Sequence, residues 1–173
     1  KLHKQDRPFL EVTATMSTFV RPNYAENPII RILKGLQHEL FDDASIEAFF
    51  SEPFAIEPQS DRMGYRLSGR KIGLQQATEL LSEAVAFGTI QVPPDGNPII
   101  LMADRQTCGG YPKIAQVISV DLPVLAQLKI GANVRFQKVT LKEAQMLLLK
   151  RERIIRQIQT HMKWYYKMHW GWQ

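Results

Sequence analysis

Three stretches of the sequence concentrate side chains able to do chemistry: Ser60-Asp61-Arg62-Met63-Gly64-Tyr65, Gln91-Val92-Pro93-Pro94-Asp95-Gly96, and Asp104-Arg105-Gln106-Thr107-Cys108-Gly109-Gly110-Tyr111-Pro112. Each abuts an apolar run that reads as a strand. Polar groups fixed at strand ends stay rigid while facing a cleft, which oriented catalysis requires. Paired glycines such as Gly109-Gly110 let backbone N–H groups approach a ligand oxygen with no Cβ in the way. An equal reading of Asp61 with Arg62, and of Asp95 with Gly96, is plain turn chemistry.

Other familiar chemistries find no support. His3, His38, His161 and His169 are scattered; the last two can share a helix face, but no carboxylate or thiol completes a ligand set, so no metal is expected. Cys108 is the single cysteine, which excludes an internal disulfide and suggests a reducing compartment. With no histidine close in sequence to activate it, it reads as a small loop residue. Neither a GxGxxG or GxxxxGK[ST] nucleotide loop nor a Gly-x-Ser-x-Gly elbow is present.

The elements that must position these loops are short. Residues 1–28 are polar and aperiodic, with Pro8 and Pro22, and read as a linker or partly ordered approach. A strand is expected over Ile29 to Leu33. Asp42-Asp43-Ala44-Ser45 offers an N-cap for a helix that Pro53 ends. Further strands are expected at Phe54 to Ile56, Tyr65 to Leu67, Gly88 to Val92, Ile99 to Ala103, Lys113 to Val120 and Asn133 to Val139. Asp121 reads as the cap of a helix from Leu122 to Leu128, with Pro123 in its first turn. About seven short strands between loops and single-turn helices are the pattern of a barrel or folded sheet.

From Thr140 onward the character changes. Thr140-Leu141-Lys142-Glu143 fits a capping box. Ala144, Leu147, Leu148, Ile154, Ile155, Ile158 and Met162 then recur at helical spacing on one face. Residues 140–173 carry seven basic and two acidic side chains, whereas residues 1–139 carry 15 of each. The net charge of +5 is therefore a property of the tail. A neutral body lacks the basic footprint of a nucleic-acid-binding domain. The longest apolar run, Pro98 to Ala103, is far too short to span a bilayer, so neither nucleic acid nor membrane is expected as a partner. The N-terminus has no apolar signal region and no initiator Met, and reads as cut from a longer polypeptide.

Four motifs occur in one order with compatible gaps: Ser60-Asp61-Arg62-Met63-Gly64-Tyr65-Arg66-Leu67, Gly88 to Gly96, Leu101-Met102-Ala103-Asp104-Arg105-Gln106-Thr107, and Gly109-Gly110-Tyr111-Pro112. From about Ile29 to Ala144 the chain thereby resembles the biotin-dependent carboxyltransferase-domain family. Its members include the bacterial 5-oxoprolinase C subunit, the second subunit of allophanate hydrolase, and the carboxyltransferase domain of urea carboxylase. The resemblance implies a mainly β, cyclophilin-like barrel over residues 29–139, with short helices, followed by the basic amphipathic helix and aromatic tail of 140–173. It also implies that the chain is the C-terminal half of its domain.

The activity the resemblance implies is ATP-dependent hydrolysis of 5-oxoproline to L-glutamate in the cytoplasm. The chain would act with a related cyclophilin-like partner subunit and the N-terminal half of its own full-length chain, the fragment alone being inactive. An unstrained lactam resists water, so ATP would phosphorylate the amide oxygen. Such a site needs donors for phosphoryl oxygens and a carboxylate to position water. Arg62 and the amides of Gly109 and Gly110 suit the first need; Asp61 or Asp104 suits the second. Gln91, Asp95, Gln106, Thr107, Gly109, Gly110 and Tyr111 are the expected substrate contacts. Two alternatives share the same loops and tail. One is carboxyl transfer from carboxybiotin to urea or a related amide, with biotin as cofactor. The other is an interaction module antagonising a sensor-kinase inhibitor, docking through the helix from Leu141 to about Met162.

Overall fold

The structure, a computed structural model, describes residues 24–170; the segment expected as a linker falls largely outside them. Alternation builds the first strand, β1 (Ile29–Lys34): Ile30 and Ile32 point into the core while Arg31 and Leu33 face away half-buried. Next come α1 (Asp43–Ser51), β2 (Phe54–Ile56), β3 (Gly64–Ser68), β4 (Glu83–Ala84), β5 (Thr89–Gln91), β6 (Ile99–Leu101), β7 (Cys108–Gly109), β8 (Lys113–Val117), α2 (Leu122–Leu125), β9 (Asn133–Lys138) and α3 (Leu141–Trp170). Seven of the strands close into a barrel in the order β1-β8-β5-β6-β3-β2-β9, and β9 returns to pair in parallel with β1 through Ile30↔Phe136. The mainly β barrel that the sequence implies is thus present. β4 and β7 form a separate two-stranded ribbon.

Ile30, Ile32, Leu67, Ile90, Ile100 and Val134 fill the barrel. One end is plugged by α1, whose Phe49 stacks on Phe136 with ring centroids 4.5 Å apart and tilts against Phe54. The expected cap holds α1 in place. Asp42 Oδ1 accepts the Ser45 N–H at 2.7 Å, and Ser45 Oγ accepts the N–H of Gly73 at 2.7 Å.

Asp121 departs from expectation. Its backbone is already helical (φ −95°, ψ −13°), and its side chain makes no capping bond to α2, which closes after four residues. The buried carboxylate instead accepts the Arg31 backbone N–H at 2.8 Å and Nε at 2.9 Å, with Nη2 on its other oxygen. A carboxylate this deep needs a charged partner more than a short helix needs a cap. β8 also ends earlier than expected, because the chain turns at Ser119 and Val120, where the Asp121 N–H donates to Ile118 O at 3.0 Å.

After β9 the capping box forms as expected: Glu143 Oε2 accepts the Thr140 N–H at 2.7 Å, and Thr140 Oγ1 accepts the Glu143 N–H at 3.2 Å. The helix it starts runs beyond Met162 to Trp170. Among the described residues no helix is long and apolar enough to cross a membrane.

Candidate functional site

The loop before β3 is braced by its own polar groups. Asp61 Oδ1 accepts the N–H groups of Met63 (2.8 Å) and Gly64 (3.1 Å), and Ser60 Oγ accepts the Arg66 N–H at 3.0 Å. Asp61 therefore does turn work here, the structural alternative that its spacing allowed. The turn projects Arg62 toward the loop after β6. There its Nε and Nη2 donate to the two oxygens of Asp104 at 2.7 and 3.2 Å. The backbones are stitched beside this fork: Asp104 N–H to Arg62 O and Met102 N–H to Met63 O, both 2.9 Å. Asp104 holds the Arg62 guanidinium above its ordinary pKa, first by the hydrogen bond and then by charge.

This corner forms one wall of a hollow of about 440 Å³ at the barrel end, a size that suits a small molecule. Ser60, Asp61, Arg62 and Tyr65 line one side, with an apolar floor that includes Ile56, Phe87, Met102 and Leu128. Burial pushes the Tyr65 phenol up, so it stays protonated as a hydroxyl. The arrangement offers a fixed guanidinium, a carboxylate that holds it and a hydroxyl beside an apolar bed.

The remaining expected site residues fall elsewhere. Gly88 N–H donates to Leu101 O at 2.7 Å, which puts the start of β5 beside the Asp104 corner. Gln91, at the other end of β5, pairs with Ile99 and Lys113. Residues 104–112 thus run along the outside of β5, over roughly 10 Å of strand. Beneath them Gln91 is only 1% exposed, and its Nε2 donates to Tyr111 O at 3.1 Å. A Cβ on Gly109 would stand 2.8 Å from that same nitrogen, so the glycine permits this close cover. Gly109 pairs with Glu83 in the ribbon, Thr107 O accepts the Val85 N–H at 2.9 Å, and Gln106 is exposed. Gly110 packs near Leu80 and Ser82. Asp95 accepts from Asn97 N and Nδ2 in its own turn and borders a separate hollow with Arg70 and Lys71.

Arg62 and the glycine amides therefore lie toward opposite ends of β5. No metal-binding cluster occurs among them either; buried His38 bonds through Nδ1 to Ile114 O at 3.0 Å. Sequence reasoning missed a polar network at the far end of β5. Lys113, its side chain 6% exposed, donates from Nζ to Glu83 Oε2 at 2.7 Å, and Gln37 Nε2 donates to the same oxygen at 3.1 Å. The signal available was Lys113 itself, a cation set directly before the buried run Ile114-Ala115.

Comparison with known proteins agrees with this architecture. A family model described as the carboxyltransferase domain, subdomain A and B, matches residues 1–138. The chain belongs to the carboxyltransferase-domain family. Over 130 residues this family member is 46% identical to the 5-oxoprolinase C subunit of Haemophilus influenzae, covering 75% of this chain and 42% of that protein. The 5-oxoprolinase C subunit of Escherichia coli is 45% identical over 115 residues, 66% of this chain and 37% of that protein. The chain thus spans less than half the length of either. The crystal structure of K. lactis urea amidolyase superposes with a TM-score of 0.73 at 23% identity, over 78% of this chain and 9% of that one, and so shares the fold. The family match ends at the last residue of β9, leaving α3 outside it.

Proposed function

We propose that this chain is the C-terminal half of a protein like the 5-oxoprolinase C subunit. With partner subunits, a related cyclophilin-like one among them, it takes part in ATP-dependent hydrolysis of 5-oxoproline to L-glutamate in the cytoplasm. The observation that carries this reading is the Arg62–Asp104 fork at the apolar hollow, inside the stretch matched by the family model. A lactam with a free carboxylate asks for an apolar bed under its ring, a guanidinium for its negative oxygens and a carboxylate to orient water. Phe87, Met102 and Arg62 line the hollow, and Asp104, outside that lining, is joined to it through Arg62. In this reading the rest of the assembly is needed to complete the site, and the isolated fragment is inactive.

The test is glutamate formation by the full-length protein assembled with its partner subunits. Both members of the fork are exposed, so their pair contributes little to folding and substitution reports on chemistry. Asp104→Asn is expected to lower kcat/KM by about 10- to 100-fold, the size of a lost charge-assisted hydrogen bond. Unchanged turnover removes Asp104 from the mechanism. Arg62→Lys is expected to fail as well, because an ammonium cannot reproduce the two-pronged contact.

Carboxyl transfer from carboxybiotin to urea or a related amide is the second reading. It is favoured by the family description and by 28% identity over 127 residues to urea amidolyase of Saccharomyces cerevisiae. Urea-dependent loss of carboxyl from a carboxybiotin carrier, with no response to 5-oxoproline, would select it.

A further inference from the structure

From Arg153 to Met168 the chain holds four cations, Arg153, Arg156, Lys163 and Lys167, and no carboxylate. All lie in α3. At about 100° per residue, the cations fall within one arc of roughly 80°. The apolar side chains between Ile154 and Met168 occupy an opposing arc of roughly 200°, interrupted by Gln157 and His161. Much of that arc is bare: Ile155, Met162 and Tyr166 are exposed, Trp164 is 61% exposed and Met168 65%. Among the described residues the helix packs closely along no strand of the barrel. Its described hydrogen bond to the barrel comes earlier, from Arg151 Nη1 to Ser119 O at 3.0 Å.

The geometry points to residues 153–168 as a docking face for an anionic lipid bilayer. The helix lies along the surface with its apolar side at the boundary of headgroups and acyl chains and its cations toward the lipid phosphates. Charge selects a negative occupant, because residues 1–139 are neutral and this segment has four cations and no carboxylate of its own. Composition selects lipid: cations gathered on the polar side, with a tryptophan and aliphatic side chains on the other, are the make-up of a helix that lies in a bilayer surface. Trp164, Tyr165 and Tyr166 are of the types that settle at the headgroup level. The sequence-based expectation of no membrane partner rested on the lack of a spanning segment, and a helix lying on the surface needs none. The inference stands whichever reaction the barrel serves.

All three tryptophans, Trp164, Trp170 and Trp172, belong to the tail, so intrinsic emission reports on it alone. The experiment mixes the whole 173-residue chain with vesicles of phosphatidylglycerol and phosphatidylcholine, or of phosphatidylcholine only. It then follows tryptophan emission and flotation. The expected result is a blue shift and flotation with the anionic vesicles, and at least about tenfold weaker binding to the neutral ones. A variant with Arg153→Gln, Arg156→Gln, Lys163→Gln and Lys167→Gln, its helical circular dichroism unchanged, should lose that preference. A second variant, Ile155→Ser with Met162→Ser, should bind anionic vesicles more weakly while keeping the salt dependence. Absence of flotation with anionic vesicles overturns the proposal. So does equal binding to both vesicle types, undiminished binding by the glutamine variant, or a blue shift without lipid that grows with protein concentration and marks a second copy on the face.

Discussion

Gln91 carries two donors and two acceptors, and at 1% exposure it must satisfy them inside the protein. Its bond to Tyr111 O ties the glycine-rich segment to β5. Gln91→Leu keeps the volume but leaves that carbonyl without the amide, at a cost of about 1–3 kcal/mol, to be read as a lower urea midpoint. The Lys113–Glu83 pair fastens the same segment from its edge. Hydrogen bonds from Lys113 and then Gln37 hold the Glu83 carboxyl below its ordinary value. A depressed folded pKa stabilises at pH above the unfolded value, about 4.3, and that contribution is lost as pH falls through the folded value. Glu83→Gln should therefore melt below the parent at neutral pH, and the gap should close as pH drops under about 4.3. A gap constant across the titration would show that the charge is irrelevant. Which residues carry chemistry was only half legible from type and position. The Arg62–Asp104 corner could be suspected because both residues sit at strand ends, whereas the burial of Gln91 depends on a ribbon whose two-residue strands are too short to show any periodicity.

At the level of elements, alternation and punctuation marked most boundaries. Ile30 and Ile32 alternate with Arg31, Asp42 caps α1, Pro53 stops it, and Thr140 with Glu143 starts α3. Asp121 misleads because residue type at a helix start says nothing about a guanidinium 90 positions away. That pair joins β1 to the turn after β8, so Asp121→Ala should cost about 2–3 kcal/mol, less than a fully buried pair because Arg31 reaches solvent. Gly35 shows how closely the same two strands meet. A Cβ there would stand 2.1 Å from Lys113 O, which is backbone and cannot swing aside. Gly35→Ala is expected to lose about 3 kcal/mol, seen as a lower denaturant midpoint; an unchanged midpoint would mean that the β1–β8 end is pliable.

The whole molecule divides physically where its charge divides. Residues 1–139 hold equal numbers of acids and bases and include every barrel strand, with the parallel β1–β9 pairing that closes the circle complete at Lys138. The core contains no residue of α3. Ending the chain after Val139 removes the Arg151–Ser119 bond, which is exposed, and leaves barrel and hollow with all their side chains. The shortened chain should therefore melt within a few degrees of the parent, since α3 places no side chain in the core and its exposed bond from Arg151 is worth about 1 kcal/mol at most. Its isoelectric point should fall from about 9.4 toward neutrality and its retention on a cation exchanger should vanish. A collapse of the melting transition would instead make α3 a structural strut, and the bare apolar arc along it would then belong to the fold.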